Sequence, residues 1–150
     1  DLNVKGNKIV LVGGGVGVPP LLYLAKELKK ANKNLKIVLG FNSRDDVLLE
    51  DEFNELGDVF VTTVDGSYGT KGFVTDILNE IEFDHYMTCG PEPMLLAILK
   101  NYPLNGQLSF EERMGCGFGA CMGCSCKTLT GYKRICVEGP VMKSEEVIYE

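Results

Sequence analysis

An apolar, β-branched run, KIVLV (Lys8–Val12), stops abruptly in GGGVGVPP, after which Leu21, Leu24, Ala25 and Leu28 recur at helical spacing. An unbroken apolar run reads as a strand covered on both faces, and an amphipathic helix directly after a glycine loop covers one of them. That succession confines the chain to folds in which helices wrap a parallel sheet, because parallel neighbours need a crossover of this kind. LKIVLGF (Leu35–Phe41), VFVTTVDG (Val59–Gly66) and HYMTCG (His85–Gly90) repeat the strand signal, and GQLSFEE (Gly106–Glu112) supplies a fifth. Further helices are expected over Gly72–Ile81, with Phe73, Val74, Ile77 and Ile81 inward, and over PEPMLLAILKN, whose prolines suit a first turn. The predicted fold class is α/β: a five-stranded parallel sheet flanked by helices over residues 1–112, then a small cysteine-rich, β-containing domain over 113–150. In that second part TGYK reads as a hairpin turn between two extended runs.

Composition narrows what such a fold does. The 150 residues are 45% hydrophobic with a net charge of −6, enough for a modest core and too acidic for a phosphate-neutralising groove, so no nucleic-acid partner is expected. The basic stretches Lys26–Lys33 and Lys127–Arg134 are broken by other residues and read as solvated faces. No long apolar span and no basic-then-apolar leader is visible, which points to a cytoplasmic chain without a membrane partner. The sequence opens at Asp1, without a methionine and just ahead of a strong strand, so a piece of a longer protein is expected.

Four of the six cysteines fall between Cys116 and Cys126. Cys116, Cys121, Cys124 and Cys136 stand in the order C-x4-C-x2-C-x11-C, and the first three have the plant-type ferredoxin spacing for a 2Fe-2S cluster. Gly115, Gly117, Gly119 and Gly123 between them let a backbone wrap inward and aim amides at sulfur. Disulfides fit poorly with a cytoplasmic chain, and a structural zinc, which favours paired short clips, meets only one here; both stay open beside inert buried thiols. Cys126 stands in a C-x-C relation to Cys124 and reads as a packed thiol rather than a ligand.

Gly13, Gly14, Gly15, Gly17 and Pro19 form the second constellation. A glycine loop between strand and helix turns backbone amides and the positive helix end toward a pyrophosphate. It departs from G-x-G-x-x-G at Val18, and no Lys-Ser or Lys-Thr follows, so a plain tight turn is the competing reading. TCGPEPM (Thr88–Met94) makes a second strand-to-helix junction on the same sheet edge. The single histidine, His85, has no partner cluster in sequence and reads as a packing or surface residue; Glu111 and Glu112 receive no role.

Taken together, LVGGGVGVPPLLYLAKEL, TVDGSYGTKGFVTD, TCGPEPML and EERMGCGFGACMGCSCK resemble the electron-transfer subunits of NAD-dependent dihydroorotate dehydrogenases, within the ferredoxin reductase-like flavoproteins. The likeness spans essentially the whole chain and implies an oxidoreductase subunit in pyrimidine biosynthesis whose FAD-binding barrel lies outside this sequence. It implies NAD, FAD and a 2Fe-2S cluster as cofactors, with FAD held mostly by the part not present. Carried over by motif, Gly14, Gly15, Val16, Gly17 and Pro19 would meet the nucleotide phosphates. Cys89 and Gly90 would lie near the nicotinamide and flavin rings, Asn42 and Asp65 would contact the nucleotide, and Gly66, Pro91 and Met94 would belong to the same cofactor-binding set. A carboxylate at Asp65 would favour NADH, although a turn-forming Asp-Gly step explains it equally. Cys116, Cys121, Cys124 and Cys136 would hold the cluster, with no side chain acting as acid or base. The partner implied is an FMN-containing catalytic subunit, in an assembly of two plus two. A related NAD(P)H, ferredoxin or hydrogenase-associated reductase subunit and a zinc-binding interaction domain are the alternative readings.

Overall fold

The computed structural model describes residues 1–149. In chain order it holds β1 (Lys8–Gly14), α1 (Val18–Lys30), β2 (Asn34–Phe41), α2 (Glu50–Asn54), β3 (Asp58–Thr63), β4 (Thr70–Lys71) and α3 (Val74–Leu78). There follow β5 (His85–Cys89), α4 (Glu92–Asn101), β6 (Gly106–Ser109), β7 (Ser125–Thr128), β8 (Gly131–Arg134) and β9 (Val141–Lys143). The main sheet runs β4-β3-β2-β1-β5-β6-β9, parallel throughout except for β9, and β7 with β8 forms a separate antiparallel hairpin. The five expected parallel strands are its centre; the structure adds the short edge strands β4 and β9.

Side chains of each inner strand alternate between two cores. Ile9 and Leu11 join Leu35, Ile37 and Leu39 beneath Val18, Leu21, Ala25 and Leu28 of α1. Val10 and Val12 point the other way, into a core with Val38, Tyr86, Leu95, Ile98 and Leu99. Burial on both faces is why KIVLV shows no polar alternation. Pro19 and Pro20 hold φ near the helical value at the start of α1, and Asn32, at φ 57°, turns the chain away after its end.

From β1 the chain moves outward through β2 and β3 to β4, then returns to the far side of β1 as β5. The carboxyl ends of β1 and β5 therefore diverge side by side, with Gly13 opposite Cys89, at the kind of switch point where open parallel sheets take ligands. A Cβ on Gly17 would collide with the Cys89 carbonyl, so this residue must be glycine for the loop to lie against β5.

Beyond β6 the chain passes through the cysteine-rich stretch and the hairpin, then returns as β9 with Met142 opposite Leu108. Cys124, Ile135, Met142 and Val147 pack into the same core as Val10, Leu95 and Leu108. The hairpin is tied down by Leu129 N donating to Glu146 O at 2.9 Å, Ile148 N donating to Lys127 O at 3.0 Å, and the Lys133–Glu146 ion pair.

Two local expectations are corrected. The helix expected over Gly72–Ile81 shrinks to Val74–Leu78, because the Asp76 carboxylate accepts the Phe73 amide at 2.8 Å and caps the helix there. Phe73 consequently faces out, 63% exposed, instead of inward. The hairpin turn sits at Leu129 and Thr130, so Tyr132 and Lys133 belong to β8 rather than to the turn. Among the described residues no helix is long and apolar enough to cross a membrane.

Candidate functional site

The carboxyl ends of β1, β2 and β3 open on a cleft of about 850 Å³. Gly14, Gly15, Val16 and Pro19 form one wall, Gly40, Phe41 and Asn42 the floor, Thr62, Val64, Phe73 and Val74 the second wall, and Pro91 and Met94 the rim nearest β5. Apolar lining with a few converging polar groups and this volume suit a small-molecule or cofactor site. Of the residues singled out in sequence, Gly14, Gly15, Val16, Pro19, Asn42, Pro91 and Met94 line the cleft. Gly17, Asp65, Gly66, Cys89 and Gly90 do not; Gly17 and Cys89 instead pack against each other just behind it.

Shape and donors in the loop fit a dinucleotide. A Cβ on Gly14 would stand 2.7 Å from Met94 Sδ and 3.2 Å from Pro91 Cδ, filling the narrow passage between the two junctions. Gly15, at φ 51°, takes the left-handed turn, and a Cβ there would meet nothing within 4 Å. No side chain caps the start of α1. Its positive end is thus free to face an anion, but Pro19 and Pro20 lack amide hydrogens, which leaves the donating to the glycine loop itself.

Thr62, which sequence reasoning passed over, is 1% exposed and lines the cleft. Its Oγ1 has no hydrogen-bond partner among the described residues. A buried hydroxyl without a partner is unfavourable in a finished protein, so one at a cleft wall marks a place where a ligand atom belongs. Thr88 Oγ1 is likewise unpartnered but lies deeper, away from the cleft. Nothing in the periodicity of VFVTTVDG separates Thr62 from an ordinary strand threonine.

Asn42 and Asp65 are neighbours, the Asp65 amide donating to the Asn42 carbonyl at 3.2 Å. The Asp65 carboxylate is engaged in its own turn, accepting from Ser67 Oγ at 2.6 Å and Ser67 N at 2.9 Å, and those bonds hold its pKa below the usual carboxylate value. Cys89 is buried, which pushes its thiol pKa up, and its Sγ donates to Glu111 Oε1 at 3.9 Å. Glu111 thus meets the end of β5 from just beyond the neighbouring strand β6, a contact no sequence signal announces. His85 lies at the other end of β5, half-buried beside Gln107, its pKa lowered by burial.

All six cysteines are free thiols. Cys121 N donates to Cys116 Sγ at 3.5 Å, and Cys136 N donates to Cys124 Sγ at 3.4 Å, so the four spaced cysteines are drawn together two by two. Among the described residues no group of three metal-ligating side chains surrounds one single-ion position. Paired thiols fit a two-iron cluster, in which each iron takes two of the protein ligands. The loop wraps through left-handed residues, Gly117 at φ 74°, Gly119 at φ 89° and Met122 at φ 57°. Met122 is a strained choice for that region, held by Ser125 Oγ donating to its carbonyl at 2.7 Å. Amides of Cys121 and Phe118 lower the Cys116 pKa to about 6, a bias toward the thiolate that metal ligation needs. Cys126 is half-buried among the core residues, and burial followed by Glu112, Glu92 and Glu146 raises its pKa, the opposite bias.

Comparison with known proteins matches two families along the chain. Residues 11–100 match the oxidoreductase NAD-binding domain family, and residues 111–148 match the iron-sulfur cluster binding domain of dihydroorotate dehydrogenase B. The dihydroorotate dehydrogenase B (NAD(+)) electron transfer subunit of Bacillus pumilus is 51% identical over 149 residues, covering 95% of this chain and 58% of that protein. Its counterpart from Fusobacterium nucleatum is 47% identical over 154 residues, covering 97% and 60%. The chain therefore spans about three-fifths of the length of such relatives. Among solved structures, an NADH-dependent reduced ferredoxin-NADP oxidoreductase superposes with a TM-score of 0.85 at 32% identity, covering 97% of this chain and 55% of the other. A self-sufficient cytochrome P450 monooxygenase superposes at 0.61 with 17% identity, a likeness of fold alone.

Proposed function

This chain belongs to the oxidoreductase NAD-binding domain family, its full-length relatives are dihydroorotate dehydrogenase B electron-transfer subunits, and from that premise we propose that it is the nucleotide and cluster portion of such a subunit. In this reading it links NAD(H), through FAD and a 2Fe-2S cluster, to a catalytic subunit that interconverts dihydroorotate and orotate in the cytoplasm. The observation that carries it is the joining, on one continuous core, of a glycine-walled cleft at the ends of β1, β2 and β3 with two thiol pairs beyond β6. The cofactors supply the chemistry: hydride from the nicotinamide, conversion of an electron pair to single electrons at the flavin, one-electron carriage at the cluster.

The protein's share is holding and aiming. Amides of Gly14, Gly15, Val16 and Gly17, with the open start of α1 beside Pro19, receive the pyrophosphate. Asn42, Asp65 and Gly66 border the adenosine half, and Thr62 offers its unpartnered hydroxyl from the cleft wall. Cys89, Gly90, Pro91 and Met94 flank the nicotinamide end, where burial keeps Cys89 a neutral thiol. Cys116 with Cys121, and Cys124 with Cys136, serve as ligand pairs, and no side chain transfers a proton. Residues 1–112 act as the nucleotide part and 113–150 as the cluster part, while most contacts to FAD belong to the portion of the relatives that this chain does not span. The partner we assign is an FMN-containing catalytic subunit in a two-plus-two assembly.

The likeness to the NADH-dependent ferredoxin-NADP oxidoreductase favours a second reading, the same module serving another flavoprotein. Co-purification separates them: a dihydroorotate-oxidising FMN protein supports the first, a second pyridine-nucleotide flavoprotein the other. The primary test is anaerobic metal and sulfide analysis with a visible spectrum. About two iron and two sulfide per chain, bleaching on reduction, is the expected result, and Cys121→Ser should abolish it. About one zinc per chain and a featureless spectrum would overturn the cluster.

A further inference from the structure

We propose that Arg134, paired with Glu138, is a positioning residue for the four-thiol centre: it holds the Cys116–Cys121 loop in place and sets the charge beside Cys124 and Cys136. This rests on the iron-sulfur reading above and extends it to side chains that ligate nothing.

Arg134 ends β8, and its Nη1 donates to the Gly119 carbonyl at 3.0 Å, reaching from the hairpin into the middle of the cysteine loop. The approach is close. A Cβ on Gly119 would stand 2.9 Å from that Nη1 and 2.7 Å from Val137 Cγ2, and the residue's φ of 89° already calls for glycine. The amide of the same Gly119 faces the Cys136 thiol. One glycine therefore connects the guanidinium to a ligand thiol.

Glu138 fixes the rest of the guanidinium. Nη2 donates to Glu138 Oε1 at 2.6 Å and Nε to Oε2 at 3.2 Å, while the Arg134 amide donates to Oε2 at 2.6 Å. Val137 N and Glu138 N both return to the Arg134 carbonyl, at 3.0 and 2.8 Å, closing a tight turn around Cys136. Such a planar fork against a carboxylate is a rigid unit that lysine cannot reproduce.

The two charges act in opposite senses. A guanidinium beside ligand thiolates favours the more negative, reduced state of whatever they bind, and a carboxylate disfavours it. A pair that served only as scaffold would, when broken from either side, loosen the same loop and move the potential the same way.

The experiment uses the full-length protein, with iron and sulfide measured first and then the midpoint potential and the rate of iron release to a chelator, for Arg134→Gln, Arg134→Lys and Glu138→Gln. Arg134→Gln is expected to lower the potential and release iron several-fold faster. Glu138→Gln should raise the potential. Arg134→Lys should keep the potential near the parent's yet release iron faster, because one ammonium cannot span both Gly119 and the carboxylate. Should Arg134→Gln fail to assemble, the other two variants still decide. Equal-signed shifts for Arg134→Gln and Glu138→Gln, or unchanged potential and iron release in fully loaded variants, would overturn the inference alone. A parent protein holding zinc or no metal would overturn the cluster reading and the inference with it, and that shows in the first analysis.

Discussion

At the scale of single residues the cleft is sharpest at Thr62. Its hydroxyl is buried and unpartnered beside a cavity, so Thr62→Val exchanges an unsatisfied polar atom for a methyl of similar size. Relief of that desolvation should stabilise the nucleotide-free protein by about 1 kcal/mol, and loss of the donor should weaken NADH by about fivefold. Thr88→Val removes the other unpartnered hydroxyl away from the cleft and should stabilise without touching NADH affinity. Thermal melts and NADH titration calorimetry read both; a Thr62→Val protein that is destabilised and binds NADH as before would show that the hydroxyl has no ligand to serve. The contrast with the cysteines explains what was legible. Cys116, Cys121, Cys124 and Cys136 stand out because the cluster we propose would impose a spacing along the chain. Glu111 and Arg134 draw their meaning from partners distant in the chain, Arg134 from Gly119 and Glu111 from Cys89, and Thr62 from the cleft its strand borders, and no interval in the sequence encodes that.

At the scale of elements, the central strands were readable because burial on both faces leaves unbroken apolar runs. Edges were not. β4 has two residues and β9 three, and each exists only through register with a neighbour, Thr62 opposite Thr70 and Leu108 opposite Met142. α3 reads too long from its periodicity because the capping carboxylate of Asp76 sits inside the apparent helix. The seam between the starts of β1 and β5 depends on another carboxylate, since Asp84 Oδ2 accepts the amides of Asn7 and Lys8, both at 2.9 Å. Those two bonds, Lys8 first, lower the Asp84 pKa below 3.8. A carboxyl depressed on folding contributes stability that is fully present above its unfolded pKa and is lost as pH falls through the folded one. Asp84→Asn should therefore melt below the parent at pH 7, with the gap closing as both are taken into acid below pH 3.8. Melts that stay equally far apart across that range would mean that the carboxylate's charge has no part in the seam.

For the molecule as a whole, the question is whether the cluster part can let go without the sheet noticing. Sequence texture changes at Arg113 and suggests a boundary, yet Cys124, Ile135, Met142 and Val147 share a core with Val10, Leu95 and Leu108, and β9 completes the sheet. A core is a cooperative unit, so what stabilises one side of it stabilises the other. A group bound only by the folded chain, at 100 to 1,000 times its dissociation constant, adds about 3 to 4 kcal/mol. In a chain of this size about 1 kcal/mol moves the melting temperature by about 2 to 4 °C. Stripping the metal anaerobically should thus lower the melting of the entire chain by about 10 °C in one calorimetric transition, and the nucleotide cleft should become more exposed to proteolysis along with the hairpin. Two transitions, with the upper one unmoved by chelation, would instead mean that Met142 and its neighbours rest on the sheet without binding the two parts into one, and that nucleotide and cluster are coupled by electrons alone.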